Sequence, residues 1–184
     1  LLMILERFTF YLRYGSSPKQ VGSILSLAEA GKYDEALTQS RAVKGLSAKV
    51  FAASLSVRHR GKQAIEDAIE QSLMQEQPKL QKRLGAIAVM AAVAPLLGLL
   101  GTVTGIIQTF AVIQTFGQPK PGLMAGGISE ALMTTATGLV IAIPVLILHS
   151  YLVSSQDKLM ADAETHCAKL LGHIDFSNSN MERA

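Results

Sequence analysis

Two long apolar stretches dominate the pattern of this chain. No charged residue occurs from Leu84 to Pro119, and none from Ala131 to Gln156. Each stretch exceeds the roughly 20 residues a helix needs to cross the hydrocarbon core of a bilayer. Residues from about 6 to 83 are polar, helical in pattern and without alternating strand segments. Gly15-Ser16-Ser17-Pro18 reads as a turn, with Ser17 able to cap and Pro18 suited to a first helical position. A helix then runs to about Ala30 and ends at Gly31, and a second opens over Lys32–Leu37. Gly45, Ser47 and Gly61 punctuate the chain beyond that second helix. Ala28–Leu37 looks like the turn of a tetratricopeptide hairpin, but that architecture needs stacked copies, so an ordinary helical hairpin is the simpler reading. From Lys62 a long helix is predicted to run through Pro78 into the first apolar stretch. Asp157–His173 spaces Leu159, Ala163, Ala168, Leu170 and Leu171 among polar residues and reads as a helix extending past the second stretch. Ser177–Ala184 reads as a disordered end.

Composition supports a membrane class. Apolar residues make up 49% of 184, charged residues 17%, and the mean hydropathy is +0.30. A net charge of +3 would point to nucleic acid in a soluble protein. Here the basic residues cluster ahead of the first apolar stretch, with Lys79, Lys82 and Arg83 immediately before it, while the loop 117–122 holds only Lys120. The positive-inside rule explains that asymmetry, puts the polar bundle in the cytoplasm and leaves no need for a nucleic-acid partner. Cys167 is the only cysteine, so no intrachain disulfide forms. Leu1–Leu5 followed by Glu6-Arg7 is too short for a signal peptide or a span, and reads as the end of an apolar helix; a short soluble helix is the alternative. The predicted fold is an all-α membrane protein, with long transmembrane helices extending into a cytoplasmic helical bundle. Its segments are the end of a first transmembrane helix (1–13), a cytoplasmic helical domain (14–83), a second transmembrane helix (84–116), a periplasmic loop (117–122), a third transmembrane helix (123–153) and a cytoplasmic C-terminal helix and tail (154–184).

Candidate chemistry lies inside the two spans. Pro95, Gly98, Thr102, Gly105 and Thr109 follow a three-four spacing and share one helix face. Gly101 and Gly105 form a small-xxx-small pair suited to close helix packing. The Thr102 hydroxyl either bonds to its own backbone or lines a polar path. Pro95 and Pro144 each free a backbone carbonyl and mark kinks. Glu130 is the sharpest feature of the chain: counted from Gly122 at about 1.5 Å per residue, it lies roughly 12 Å into the second span. An ionised carboxylate there costs several kcal/mol unless paired, hydrated or protonated, so it is expected to face an interior or a water-filled cavity. The alternative is a helix that begins late and carries Glu130 as a dipole-favoured first-turn charge. Glu130, Thr134 and Thr137 share a face, and Ala131, Thr135, Gly138 and Ala142 form a small face beside it. Gly126-Gly127 reads as flexibility at the helix start. No catalytic or metal constellation competes. His59, His149, His166 and His173 lack metal-ligand spacing, Cys167 has no evident activating partner, and no phosphate loop follows a strand.

Both spans resemble the MotA/TolQ/ExbB proton-channel family, and most closely its ExbB/TolQ branch. The resemblance rests on Leu100–Ile106 in the first span, and on Ile128–Leu132, Thr134-Thr135, Thr137–Leu139 and Ala142–Pro144 in the second. It covers about Gln77 to Leu152 well, and Glu6-Arg7 looks like the charged pair that ends the family's first span. The chain departs from the pattern in lacking most of that first span. The resemblance implies a homopentameric ring in the bacterial inner membrane around a dimer of single-span ExbD/TolR-like subunits. Glu130, Thr102 and Thr135 would line the pore and face an Asp of that partner, with Thr134 beside them. The proton gradient would drive rotation, and the work would pass to a TonB- or TolA-like protein. No cofactor or metal is implied. Whether the ion is H+ or Na+, and whether Glu130 relays it or only shapes the field, stay open. A membrane scaffold without an ion path predicts that Glu130, Thr102 and Thr135 tolerate apolar replacement. A soluble adaptor predicts loss from membranes on carbonate washing.

Overall fold

The computed structural model describes residues 2–15, 17–116 and 121–174. Its elements, all helical among these residues, are α1 (Leu2–Tyr14), α2 (Pro18–Glu29), α3 (Tyr33–Ala42), α4 (Leu46–Ser56), a 3-10 turn at Arg58–Arg60, α5 (Lys62–Gln81), α6 (Leu84–Phe116) and α7 (Pro121–His173). The expected disordered end, Ser177–Ala184, and most of the expected loop lie outside the described residues. Two compact units result. One takes the described residues up to Ile4 together with Arg83–Tyr151; the other takes Leu5–Lys82 and the described residues from Leu152 onward.

The polar unit is a bundle built on hairpins. Pro18 opens α2 at a first-turn position, where its missing N–H costs nothing. Ser17 stands at the N-cap without a side-chain cap bond; its carbonyl accepts from the Gln20 and Val21 amides instead. Gly31 ends the first hairpin arm with φ at +72°, a conformation that costs a residue with a Cβ roughly 1–2 kcal/mol. The core is Ile24, Leu46, Phe51, Leu55, Ile65 and Leu80, closed by Leu152, Ala163, Cys167 and Leu170 from α7. These α7 residues recur at three- and four-residue spacing; Ala168, expected in that set, is exposed. Burial, with a smaller contribution from Glu164, pushes the Cys167 thiol up to about 12, the reverse of nucleophile activation. Burial likewise lowers the affinity of His166 for a proton, and its Nδ1 sits 3.0 Å from the Ser47 hydroxyl.

The helix expected to run from Lys62 into the apolar stretch breaks at Lys82-Arg83. Arg83 adopts φ +69°, and α6 begins at the next residue. The break has a physical reason. It strips the Lys79 and Leu80 carbonyls of their partners four residues on, and α1 replaces them. Both terminal nitrogens of Arg7 donate to the Lys79 carbonyl at 3.2 Å, and the Tyr11 hydroxyl donates to the Leu80 carbonyl at 2.7 Å. Arg7 is only 3% exposed, and its cation at a helix C-terminus is favoured by the helix dipole. Beside it, Glu76 is buried between Lys79 at 2.6 Å and Lys49 at 3.1 Å. We expect Tyr11→Phe, which leaves the Leu80 carbonyl buried and unpaired, to cost about 1–3 kcal/mol. A lowered thermal midpoint of the purified protein in detergent would show it.

The apolar unit is the pair α6 and α7. Each contains a stretch long and apolar enough to cross a membrane. Both are apolar around most of their circumference, with Leu96, Leu99, Ile107, Val140 and Ile147 exposed, as expected of helices that face lipid or other subunits.

Candidate functional site

Small residues set the approach of α6 to α7. A Cβ added at Gly98 would stand 3.0 Å from the Thr134 carbonyl oxygen and 3.0 Å from the Thr135 Cα. One added at Gly138 would stand 2.8 Å from the Ala94 carbonyl oxygen, and one at Gly105 2.8 Å from the Ala131 Cβ. Gly101 faces the Thr134 hydroxyl, and Gly127 faces the Thr109 hydroxyl. The seam therefore runs Ala94, Gly98, Gly101, Gly105 and Thr109 on α6 against Gly138, Thr135, Thr134, Ala131 and Gly127 on α7. Gly127, read from the sequence as helix-start flexibility, is instead a packing position six residues inside α7.

The hydroxyls in this seam are committed to carbonyls. Thr135 donates across the pair to the Gly98 carbonyl at 3.0 Å. Thr134 donates to the Ala131 carbonyl at 2.7 Å and lies 3.5 Å from the Gly98 carbonyl. Thr102 donates to the Leu99 carbonyl of its own helix at 2.6 Å, and Thr137 to the Met133 carbonyl at 2.8 Å. Thr102 stands beside the seam while the smaller Gly101 enters it. Thr135→Val keeps the shape and removes the short bond from α7 to the Gly98 carbonyl. It should cost roughly 0.6 kcal/mol and no more than about 1.7 kcal/mol, measurable as a small drop in thermal midpoint in detergent.

Glu130 sits nine residues into α7, roughly 14 Å along its axis. The helix begins at Pro121, so the late-start reading of Glu130 as a first-turn charge does not hold. Nor do the two helices of this chain enclose it: Glu130 is exposed and makes no hydrogen bond or ion pair with a described residue. It lines an open groove of about 660 Å³ along the α6–α7 pair, together with Ser129, Thr134, Thr137, Met133 and Gly98. The structure thus brings Glu130, Thr134 and Thr137 to one groove. Thr102 and Thr135 do not line it, and Pro95 and Pro144 lie outside it. Ser129 and Gly126 also belong to the groove, although the sequence reading gave Ser129 no role of its own and read Gly126 only as helix-start flexibility; their position one residue and one turn before Glu130 was the available signal. A lone carboxylate among apolar and hydroxyl groups can attract a cation and cannot hold a metal by itself. Among the described residues no group of three His, Cys, Asp or Glu is placed to do so.

Residues 42–165 match the model of the MotA/TolQ/ExbB proton channel family. The chain belongs to that family. It is 34% identical over 142 residues to a protein of Methanothermobacter thermautotrophicus named as an ExbB homolog, a match covering 77% of this chain and 50% of that protein. It is 34% identical over 119 residues to the biopolymer transport protein ExbB of Xanthomonas campestris, covering 65% and 46%. To the Tol-Pal system protein TolQ of Pseudomonas aeruginosa it is 33% identical over 98 residues, covering 53% and 42%. The chain spans about half the length of these curated relatives. It is a membrane protein of the ExbB/TolQ branch.

Proposed function

We propose that the chain is an ExbB-like subunit of a proton-driven motor in the bacterial inner membrane. In this reading five copies form a ring around two single-span ExbD/TolR-like subunits. A TonB- or TolA-like protein takes the work to the outer membrane. The bundle of residues 14–83 and the C-terminal helix from 154 stand in the cytoplasm. The observation that carries the reading is the exposed Glu130 groove. A carboxylate some 14 Å inside an apolar helix is costly next to lipid, so its exposure in a single chain calls for cover from another. A facing partner acid that carries a proton supplies both cover and function. Glu130 shapes the field for that passing charge, and Thr134 and Thr137 offer hydroxyl oxygens along the groove. Thr102, beside the seam, would reach the ring's inner wall, while Thr135 holds α7 to α6 through the Gly98 carbonyl. A TolQ-like role in envelope integrity is the second reading, favoured by the match to the Pseudomonas protein. Native mass measurement of the full-length complex tests the architecture: five copies with two single-span subunits are expected, and a chain that purifies without such a partner contradicts it.

A further inference from the structure

The polar unit carries two surfaces of opposite charge. The first is a groove of about 770 Å³ between α1 and the connection from α3 to α4. Phe10 and Tyr14 line it, stacked with ring centroids 4.7 Å apart and planes 21° from parallel. Around them stand Arg41 from α3, Lys44 from the connection and Lys49 from α4, against the carboxylate of Glu6. Lys49 is committed to Glu76 at 3.1 Å and to the Tyr14 hydroxyl at 2.8 Å. Arg41 and Lys44 are exposed and form no ion pair with any described residue. The groove therefore presents aromatic surface beside two spare cations.

The second surface is a ridge on α5. Asp67, Glu70, Gln71 and Met74 are spaced three, one and three residues apart, so they form one stripe, and all four are exposed. Met74 is 64% exposed. Glu70 makes no hydrogen bond or ion pair with a described residue, and Asp67 accepts only from the Gln63 amide at 3.2 Å. No residue of this stripe lines the groove. The ridge thus offers an apolar tip beside two spare carboxylates, the complement of the groove in both charge and apolar character. Aromatic residues, Met and Arg are the types enriched at protein interfaces, and a Met thioether packs well against aromatic rings. A foreign acidic helix in the groove would leave the ridge bare, whereas a second copy of this chain covers both surfaces.

We propose that the α5 ridge of one copy seats in the α1–α4 groove of the next, with Met74 on Phe10 and Tyr14, and Asp67 and Glu70 at Arg41 and Lys44. The two surfaces differ, so the contact is head-to-tail, and repeating it closes a ring when the rotation per copy divides a full turn. This rests on the five-copy ring proposed above and assigns its contact in the polar unit. The test is cross-linking of the full-length complex with a bismaleimide, using Thr9→Cys on the groove wall and Gln71→Cys on the ridge. The native Cys167 is buried and serves as the background control. T9C/Q71C should give a covalent ladder beyond the dimer, and neither single variant should give one. In the T9C/Q71C background, R41E/K44E or D67K/E70K alone should cut the yield at least about tenfold, because like charges then face each other. The two reversals combined should restore it, and K19E, an exposed change on α2 outside both surfaces, should leave it unchanged. All these positions are exposed, and an unchanged thermal midpoint checks that the fold is kept. Native mass measurement of the same samples separates the two ideas: five copies without the T9C/Q71C ladder overturn this contact and leave the ring standing. Dimers from either single cysteine, or a ladder indifferent to the charge reversals, overturn the contact as well.

Discussion

Glu130→Ala should abolish energised work by the proposed complex while the protein still folds and assembles. The carboxylate is exposed in the single chain and makes no bond to a described residue, so its removal falls within the roughly ±0.5 kcal/mol typical of a surface substitution. Loss of function cannot then be charged to unfolding. A carboxylate and a cation about 4 Å apart attract by roughly 4 kcal/mol at an effective dielectric of about 20, which corresponds to nearly a thousandfold in an equilibrium or a rate. Glu130→Gln keeps the shape and removes the charge, and it should fail as completely as the alanine. Glu130→Asp keeps the charge on a shorter stem and should retain part of the activity. The readout is partner-dependent uptake in cells carrying each full-length variant, with assembly followed by native gel. Normal uptake with either neutral variant would remove Glu130 from the mechanism.

Gly138→Ala and Gly98→Ala should each be clearly damaging single-methyl changes in the apolar pair. The new Cβ at Gly138 would meet the Ala94 carbonyl oxygen at 2.8 Å and the Gly98 Cα at 3.3 Å. These are backbone atoms, which have no rotamer to adopt, so the helices must separate. Overpacking of this kind costs typically 1–3 kcal/mol, and Gly98→Ala also disturbs the carbonyl that Thr135 donates to. Gly85→Ala and Gly126→Ala are the matched controls, because an added Cβ at either meets nothing within 4 Å. These controls should be neutral or slightly stabilising, since alanine is the better helix former. Thermal unfolding in detergent separates the two pairs. Equal midpoints across all four variants would show that the seam does not depend on close approach.

Much of this architecture was legible because it rests on local patterns. Charge-free length marked the two apolar helices, and Gly31, Gly45 and Gly61 marked turns that adopt positive φ. The three-four spacing found the packing face of α6 but misplaced its centre. The Gly101–Gly105 pair does enter the seam, but the stripe also counted Thr102, which the structure leaves beside it, because spacing alone does not rank a hydroxyl against a hydrogen atom for a close approach. Gly127 was misread for a related reason: its partner, Thr109, lies on another helix. The break at Lys82-Arg83 was hidden altogether. It depends on Arg7 and Tyr11 reaching carbonyls some 70 residues away, a pairing that no local signal records. The face shared by Glu130, Thr134 and Thr137 was readable from helical period. That the face opens outward was not, because it depends on which sides of α6 and α7 meet.

Proton uptake into vesicles tests the central claim most directly. The full-length protein would be reconstituted with its single-span partner, and an imposed gradient followed with an interior pH dye. Partner-dependent acidification is expected of the wild type, and none above background of Glu130→Ala at equal protein content. Equal acidification by the two would contradict a role for Glu130 in the ion path, and would leave its groove as a structural surface only.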